Sequence, residues 1–195
     1  MKGKLFVISS VAGGGKSTLI NRFLAKHKNF HFAVSYTSRP PRQGDEEGKT
    51  YFFVSREEFE KLISENYFFE WALVHGNYYG TPKKEIQLVL EDGKNVILDI
   101  DIQGMEAVKK EIGGVVTLFI LPPDEKTWLE RLKGRGTEND DTLQKRISSG
   151  LKELRAADKF DLKMVNSDLE EASREFEKLI LENSGYRTTV TEQGA

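Results

Sequence analysis

A glycine run followed by a lysine and a serine lies near the start of the chain and has the composition of a phosphate-binding loop. Residues 10–17 read Ser-Val-Ala-Gly-Gly-Gly-Lys-Ser, against the P-loop pattern Gly-x-x-x-x-Gly-Lys-Ser/Thr. Glycines let backbone N–H groups approach phosphate oxygens, and a following helix points its positive end at the same place. The stretch therefore predicts a site for a nucleoside triphosphate, formed by Ser10, Val11, Ala12, Gly13, Gly14, Gly15, Lys16, Ser17 and Thr18.

The residue types of this loop assign its chemistry. Lys16 would place its charge on the β and γ phosphates, and the Ser17 hydroxyl would ligate Mg²⁺. Ser10 is a mismatch, since the pattern requires glycine there. A positive φ at Ser10 would cost on the order of 1 kcal/mol, unless Gly13 and Gly14 supply the conformational freedom. The alternative is an ordinary strand-to-helix turn that binds nothing.

Two acids follow an apolar segment in the middle of the chain. Residues 96–101 read Val-Ile-Leu-Asp-Ile-Asp and predict a buried strand with Asp99 and Asp101 on one face, because strand side chains alternate. Ligands of open α/β sheets bind at the carboxyl ends of strands, so both acids are candidates to hold Mg²⁺ through water. The alternative is that they cap the helix predicted after Gly104.

Apolar runs alternate with helical patterns along the rest of the chain. Strands are predicted at residues 5–8, 96–101, 115–121 and 162–165. Helices are predicted after the glycine run, at 107–112, at 125–132 with Asp124 as N-cap, and from residue 169 with Asp168 as N-cap. This alternation predicts an α/β fold, with a central parallel sheet flanked by helices.

Two stretches interrupt the alternation. Aromatic and polar residues dominate 35–90 and predict an inserted α+β subdomain, whereas 133–141 is glycine-rich and charged and predicts a mobile loop. We therefore expect one domain with a P-loop core (about 1–34, 94–126 and 158–184), an insertion (35–93), a lid (127–157) and a flexible tail (185–195).

Composition excludes several classes of protein. The 195 residues carry 29 Lys and Arg against 31 Asp and Glu, a net charge of -2, which gives no reason to expect nucleic-acid binding. There is no cysteine and hence no disulfide or thiolate metal site. No run approaches the roughly 18 apolar residues of a membrane span, and the N-terminus leaves no room for a signal peptide. A cytoplasmic protein is expected.

Six clusters in order resemble the guanylate kinase family, over nearly the whole chain from Lys4 to about Asn183. They are residues 34–42 (Val-Ser-Tyr-Thr-Ser-Arg-Pro-Pro-Arg), 48–53 (Gly-Lys-Thr-Tyr-Phe-Phe), 70–72 (Glu-Trp-Ala), 76–81 (Gly-Asn-Tyr-Tyr-Gly-Thr), 98–104 (Leu-Asp-Ile-Asp-Ile-Gln-Gly) and 131–137 (Arg-Leu-Lys-Gly-Arg-Gly-Thr). The resemblance implies Mg²⁺-dependent transfer of the γ-phosphoryl group of ATP to GMP, giving ADP and GDP, in purine nucleotide metabolism.

The resemblance also implies a GMP site. Two guanidinium forks and two phenol hydroxyls suit a phosphate dianion, and by resemblance Arg39, Arg42, Tyr51 and Tyr79 hold it. By resemblance Glu70 reads the guanine edge. Its carboxylate can accept from N1–H and the 2-amino group, whereas adenine offers neither donor there. The same resemblance adds further contacts on the GMP side: Ser35, Thr81 and Asp99.

Catalytic positive charge is implied beside the predicted lid. By resemblance Lys16, Arg131, Arg135 and Arg146 stabilise the transferring phosphoryl group, and Asn166 contacts the adenine side. No general base is needed, because the attacking group is already a phosphate anion.

The alternatives differ in class. The family's usual Gly-Pro-Ser-Gly is Ser-Val-Ala-Gly here, which leaves loop rigidity and one hydroxyl open. A P-loop kinase of a sugar phosphate would have no base for Glu70 to read. A non-catalytic guanylate-kinase-like binding domain usually has a degraded P-loop, but this chain keeps Lys16 and Ser17. Both a monomer and a homodimer are compatible with the sequence.

Overall fold

The computed structural model describes residues 2–42, 44–74, 76–133 and 140–185. Its strands are β1 (Leu5–Ser10), β2 (Phe30–Phe32), β3 (Tyr36–Thr37), β4 (Phe52–Phe53), β5 (Phe68–Val74), β6 (Asn77–Pro82), β7 (Asn95–Asp99), β8 (Val116–Leu121) and β9 (Leu162–Val165). Its helices are α1 (Lys16–Lys26), α2 (Arg56–Ser64), α3 (Lys83–Glu91), α4 (Ile102–Glu111), α5 (Glu125–Lys133), α6 (Asp140–Arg155) and α7 (Leu169–Ser184), with a 3-10 turn at Ala157–Lys159.

A five-stranded sheet in the order β2-β7-β1-β8-β9 forms the centre of the molecule. Its neighbouring strands all run parallel, which confirms the predicted parallel α/β sheet. β1 lies in the middle, so the glycine run that follows it emerges at the centre of the carboxyl edge. The sequence did not predict β2, because only three residues with an exposed His31 between two phenylalanines form it.

Both faces of this sheet are buried. Phe6 and Ile8 of β1 face a cluster completed by α1 and α7, whereas Leu5 and Val7 face a second cluster that α3, α4 and α5 cover. Burial on both faces explains why the parallel strands read as continuous apolar runs. Each large side chain buried in this way stabilises the fold by about 1.5–3 kcal/mol.

A second, four-stranded sheet in the order β4-β3-β6-β5 is formed by the aromatic-rich region. Its hydrophobic packing is aromatic. The Phe59 ring of α2 stacks on Phe68 at 4.6 Å and on Tyr78 at 5.1 Å. Helix α3 follows this sheet in the chain but packs against β7, with Ile86 and Leu90 in the core of the first sheet.

The junction between β7 and α4 differs from the prediction. The strand predicted at 96–101 ends at Asp99, and α4 begins at Ile102 rather than after Gly104. Asp101 is its N-cap, because its Oδ1 accepts a 2.8 Å hydrogen bond from the Gly104 N–H. The premise that Asp99 and Asp101 share one strand face was therefore wrong. The caps predicted at Asp124 and Asp168 are confirmed.

Part of the predicted loop at 133–141 and most of the predicted tail lie outside the described residues, which resume at Asp140 and stop at Gly185. Among the helices that the structure describes, none is both long and apolar enough to cross a bilayer.

Candidate active site

One continuous cleft runs along the carboxyl edge of the parallel sheet and beneath the second sheet. One half is lined by Ser35, Tyr51, Glu70, Ala72, Val74, Tyr79, Gly80, Asp99, Ile100 and Asp101. The other half is lined by Ser17, Ile20, Asn21, Phe32, Ala33, Ser35, Lys49, Thr50, Tyr51 and Asp99. Three residues line both halves, so the cleft joins the predicted guanine-reading residues to the start of α1.

The glycine-rich loop adopts a backbone that explains two of its three glycines. Gly13 has φ 84° and Gly15 has φ 86°, values that favour glycine. Among the described residues, the non-glycine position with positive φ is Asn66. Ser10 therefore has an ordinary backbone, and the cost considered for a positive φ at this position does not arise.

Lys16 and Asp99 form an ion pair between the glycine-rich loop and the end of β7. The Lys16 side chain is 18 % exposed and that of Asp99 27 %, and Asp99 lines both halves of the cleft. Ser17 and Thr18 are exposed at the first turn of α1. The structure thus brings Lys16, Ser17 and Asp99 together, and Asp101 lines the same cleft although it caps a helix.

Side chains from α5 and from the segment after β9 hold the loop in place. The Asn166 amide donates to the Gly14 carbonyl at 2.8 Å, and the Trp128 indole N–H donates to the Ala12 carbonyl at 2.8 Å. Arg131 donates to the carbonyls of Asn166 and Ser167 at 3.0 and 3.2 Å. Asn166 and Arg131 are therefore joined to the loop through backbone contacts that the sequence did not predict.

Arg39 is fixed in a buried pocket beside the cleft. Its guanidinium pairs with Asp45 at 2.9 Å and lies 5.5 Å from the centre of the Tyr51 ring. Burial works against the charge of Arg39, but the hydrogen bond and charge of Asp45, and those of Tyr79, give a net rise in its pKa. The rings of Tyr51 and Tyr79 meet edge to face at 5.7 Å. Three of the four residues predicted to hold a phosphate therefore lie together.

Arg42, the fourth member of that group, is exposed, and its backbone N–H donates to Asp45 at 2.7 Å. Asp45 thus organises both arginines. Asp45 was not among the predicted site residues, although an acid placed three residues after Arg42 in a turn with Gly44 (φ 88°) is a local signal for such a contact.

Glu70 presents a carboxylate to the other end of the cleft. The Thr81 hydroxyl donates to its Oε1 at 2.5 Å, and Thr81 is 1 % exposed. Burial raises the pKa of Glu70, and the charge of Asp101 raises it further, against the lowering effect of the Thr81 hydrogen bond. Gly104 of α4 lies against this carboxyl, since a Cβ there would come within 3.2 Å of the Glu70 carboxyl carbon.

The lid arginines are only partly described. Arg131 lies in the last turn of α5 and makes the contacts given above, Arg146 lies partly buried on α6, and Arg135 falls outside the described residues. Glu153 of α6 was not predicted as a site residue. Burial raises its pKa, the Lys16 charge lowers it and the Asp101 charge raises it, so α6 brings a further carboxylate near the cleft.

The oxygen donors at the loop fit a small divalent cation. Ser17 and Asp99 line the same half of the cleft, and a hydroxyl and a carboxylate are ligands that Mg²⁺ accepts. Within the described part of the chain, no group of three or more His, Asp or Glu forms a metal cage. Mg²⁺ needs none, since it is usually bound by one or two carboxylates together with phosphates and water.

Comparisons with known proteins agree with this geometry. A guanylate kinase family model matches residues 2–183. The guanylate kinase of Neisseria gonorrhoeae is 45% identical over 171 residues, which cover 88% of this chain and 83% of that protein. The guanylate kinase of Clostridium tetani is 44% identical over 179 residues, covering 92% of this chain and 86% of that protein.

A solved structure supports the same assignment. The crystal structure of guanylate kinase from Anaplasma phagocytophilum matches with a TM-score of 0.76 and 32% identity, over 95% of this chain and 88% of that one. The family model spans almost all of the chain, and the relatives share well over a third of its residues. This chain belongs to the guanylate kinase family.

Proposed function

We propose that this protein transfers the γ-phosphoryl group of ATP to GMP, giving ADP and GDP, with dGMP as a second acceptor. One observation carries the proposal. A single cleft connects the first turn of α1, directly after the glycine-rich loop, to a partly buried glutamate held by Thr81, and Lys16 pairs with Asp99 of its lining. That arrangement provides a place for a triphosphate and a place for a base with two adjacent donors.

GMP would bind by its two ends. Glu70 would accept hydrogen bonds from guanine N1–H and the 2-amino group, with Ser35 and Thr81 beside the base. Adenine would leave a desolvated carboxylate facing the lone pair of its N1, and an unpaired buried acceptor is penalised. Arg39, Arg42, Tyr51 and Tyr79 would hold the phosphate, with Asp99 at the junction between the two nucleotides.

ATP would bind over residues 10–18. Backbone N–H groups and the N-terminus of α1 suit the phosphates, and Lys16 would exchange its contact with Asp99 for the β and γ oxygens. Asn166 would act on the adenine side of this site. Because Asn166 holds the Gly14 carbonyl, we infer that it also supports the loop itself.

Mg²⁺ would be held by Ser17, and by Asp99 and Asp101 through water, and when bound it would neutralise charge on the phosphates. Arg131, Arg135 and Arg146 would surround the transferring group with positive charge, and the lid at 127–157 would exclude water. The GMP phosphate attacks as an anion, so positioning and electrostatics suffice and no side chain has to remove a proton.

We further propose that the enzyme acts in the cytoplasm, in purine nucleotide metabolism, on ATP and GMP and without nucleic acid or membrane as a partner. The near-balance of 29 basic and 31 acidic residues supports the absence of a polyanionic partner. Both a monomer and a homodimer are compatible with this function, because the cleft is lined by residues of one chain.

Replacement of Lys16 tests the proposal. Lys16→Ala should lower kcat by about a thousandfold, since it removes a charge that the transition state needs, while the Kd for GMP measured by calorimetry changes little. Lys28→Ala, which removes an exposed lysine just beyond the same helix, is the matched control and should behave as wild type. A Lys16→Ala enzyme with wild-type kcat would place the triphosphate elsewhere.

A further inference from the structure

The middle glycine of the loop is not explained by backbone conformation. Gly13 and Gly15 have positive φ, whereas Gly14 does not. An alanine could therefore adopt the backbone of Gly14 without strain. Gly14 is nevertheless buried in the loop, so the reason for a glycine at this position has to be sought in what surrounds its missing side chain.

The space beside Gly14 is filled by Ser10. A Cβ built on Gly14 would lie 1.8 Å from the Ser10 Oγ, 3.2 Å from the Ser10 Cβ and 3.1 Å from the Val11 carbonyl oxygen. The Ser10 hydroxyl is held there, because it donates a 2.8 Å hydrogen bond to the carbonyl of Ile120 on β8. The hydroxyl of residue 10 thus occupies the place that a methyl group at residue 14 would take.

We propose that Ser10 and Gly14 are a mutually dependent pair, in which the Ser10 hydroxyl bound to β8 is a positioning element for the backbone that binds the triphosphate of ATP. The serine at residue 10 and the glycine at residue 14 then have one explanation. Ser10 stands where the P-loop pattern has glycine, and it is accommodated because residue 14 has no side chain. The proposal rests on the proposed binding of ATP at residues 10–18.

Displacement of Gly14 would reach the rest of the loop. Its N–H donates to the Val11 carbonyl at 2.9 Å, and its carbonyl accepts from Asn166 at 2.8 Å. Gly15 is constrained as well, since a Cβ there would come within 2.2 Å of the Asn166 amide nitrogen. A methyl group on residue 14 therefore has to expel the Ser10 hydroxyl from its hydrogen bond or shift a backbone fixed on both sides, directly before Lys16.

A four-member cycle of wild type, Ser10→Gly, Gly14→Ala and the double variant tests the coupling. We expect Gly14→Ala to raise the KM for ATP about tenfold and to lower the melting temperature, with the KM for GMP within about twofold. Ser10→Gly should have a milder effect, and the double variant should match Ser10→Gly to within about threefold, because the 1.8 Å contact of the new methyl group with the Ser10 Oγ is gone and only the milder 3.1 Å contact with the Val11 carbonyl oxygen remains. Gly113→Ala is the matched control, since a Cβ there meets no atom within 4 Å and φ is not positive.

The outcomes are distinct. The pairing is overturned if Gly14→Ala behaves as wild type. It is also overturned if the double variant changes the KM for ATP by the product of the two single changes. If Gly14→Ala does not fold, recovery of melting in the double variant supports the pairing, and its failure to recover overturns it. If the two substitutions are non-additive in melting temperature but independent in the KM for ATP, the pairing stands and only its role in positioning the ATP-binding backbone is overturned. Failure of the proposed ATP site would instead appear in Lys16→Ala with wild-type kcat.

Discussion

The Thr81 hydroxyl donates a 2.5 Å hydrogen bond to the Oε1 of Glu70, and this contact fixes the carboxylate at the far end of the cleft from Lys16. Thr81 is 1 % exposed and lies opposite Glu70 in the pairing of β5 with β6. The bond leaves the rest of the carboxylate to accept from a base. In this way two neighbouring strands fix the carboxylate that we propose reads the base.

Loss of the Thr81 hydroxyl should weaken GMP binding more than it slows phosphoryl transfer. Thr81→Val keeps the shape of a buried side chain but removes the donor, and we expect the KM for GMP to rise about tenfold with a smaller change in kcat. Thr81→Ser keeps the hydroxyl and is the control. Steady-state kinetics with varied GMP give the answer, and equal KM values for the valine and serine variants would show that the bond does not position Glu70.

The pH dependence of GMP use should carry the signature of Glu70. Burial, and then the charge of Asp101, raises the pKa of this carboxyl above its ordinary 4.5. Only the ionised form accepts both guanine donors, so kcat/KM for GMP should fall as pH drops through that raised pKa. The GMP phosphate titrates as well, near pH 6. The comparison with Glu70→Gln isolates the side chain, because both enzymes use the same substrate. Superimposable profile shapes would contradict the assignment.

The raised pKa of Glu70 also predicts how the stability of the fold depends on pH. A carboxyl whose pKa is higher in the folded than in the unfolded protein contributes stability below its unfolded pKa and loses it as pH rises through the folded pKa. Glu70→Gln should therefore melt at a higher temperature than wild type at neutral pH, and the difference should shrink on acidification. Thermal melting at several pH values measures this, and a lower melting temperature for the glutamine variant at neutral pH would argue against it.

The buried ion pair at Arg39 should matter for the phosphate end of GMP. Asp45 both pairs with the guanidinium and accepts from the Arg42 N–H, so Asp45→Ala should raise the KM for GMP about tenfold while the KM for ATP stays near wild type. Asp92→Ala removes an exposed partner of Lys94 and is the matched control. If both variants bind GMP equally well, Asp45 does not organise the site.

Helix α6 should be sensitive to one added methyl group. A Cβ on Gly150 would lie 2.3 Å from the Trp128 ring, and Trp128 is fully buried with its indole N–H on the Ala12 carbonyl. Gly150→Ala should destabilise the fold by about 1–3 kcal/mol through overpacking and also raise the KM for ATP. Urea unfolding against the Gly113→Ala control measures the first effect, and unchanged stability would contradict the packing.

Features with a local cause could be predicted from the sequence. The parallel sheet followed from apolar runs, the caps at Asp124 and Asp168 followed from residue type, and the proximity of Lys16 to Asp99 followed from their places after neighbouring parallel strands. The predicted end of β7 was wrong. An acid that caps a helix two residues after a strand has the same spacing in the sequence as the next residue on one strand face. For Asp101, only the hydrogen bond from the Gly104 N–H shows that the acid caps a helix and is not a strand residue.

Contacts between distant elements had no such signal. Nothing near Trp128 in the chain indicates that its indole binds a loop 116 residues away. The pairing of Ser10 with Gly14 is close in sequence but depends on the Ile120 carbonyl of a neighbouring strand. Glu153 was missed for the same reason, since an acid on an amphipathic helix usually faces water, and only the tertiary fold brings it near Lys16.

The enzyme's choice of acceptor base can be measured with a panel of nucleoside monophosphates. ADP release should be measured with ATP and Mg²⁺ for GMP, dGMP, AMP, CMP and UMP, in the wild-type enzyme and in Glu70→Gln. We expect efficient turnover of GMP, weaker turnover of dGMP and little of the others, with the preference for GMP over AMP reduced by about a hundredfold in Glu70→Gln. Turnover of AMP equal to that of GMP by the wild-type enzyme would contradict it.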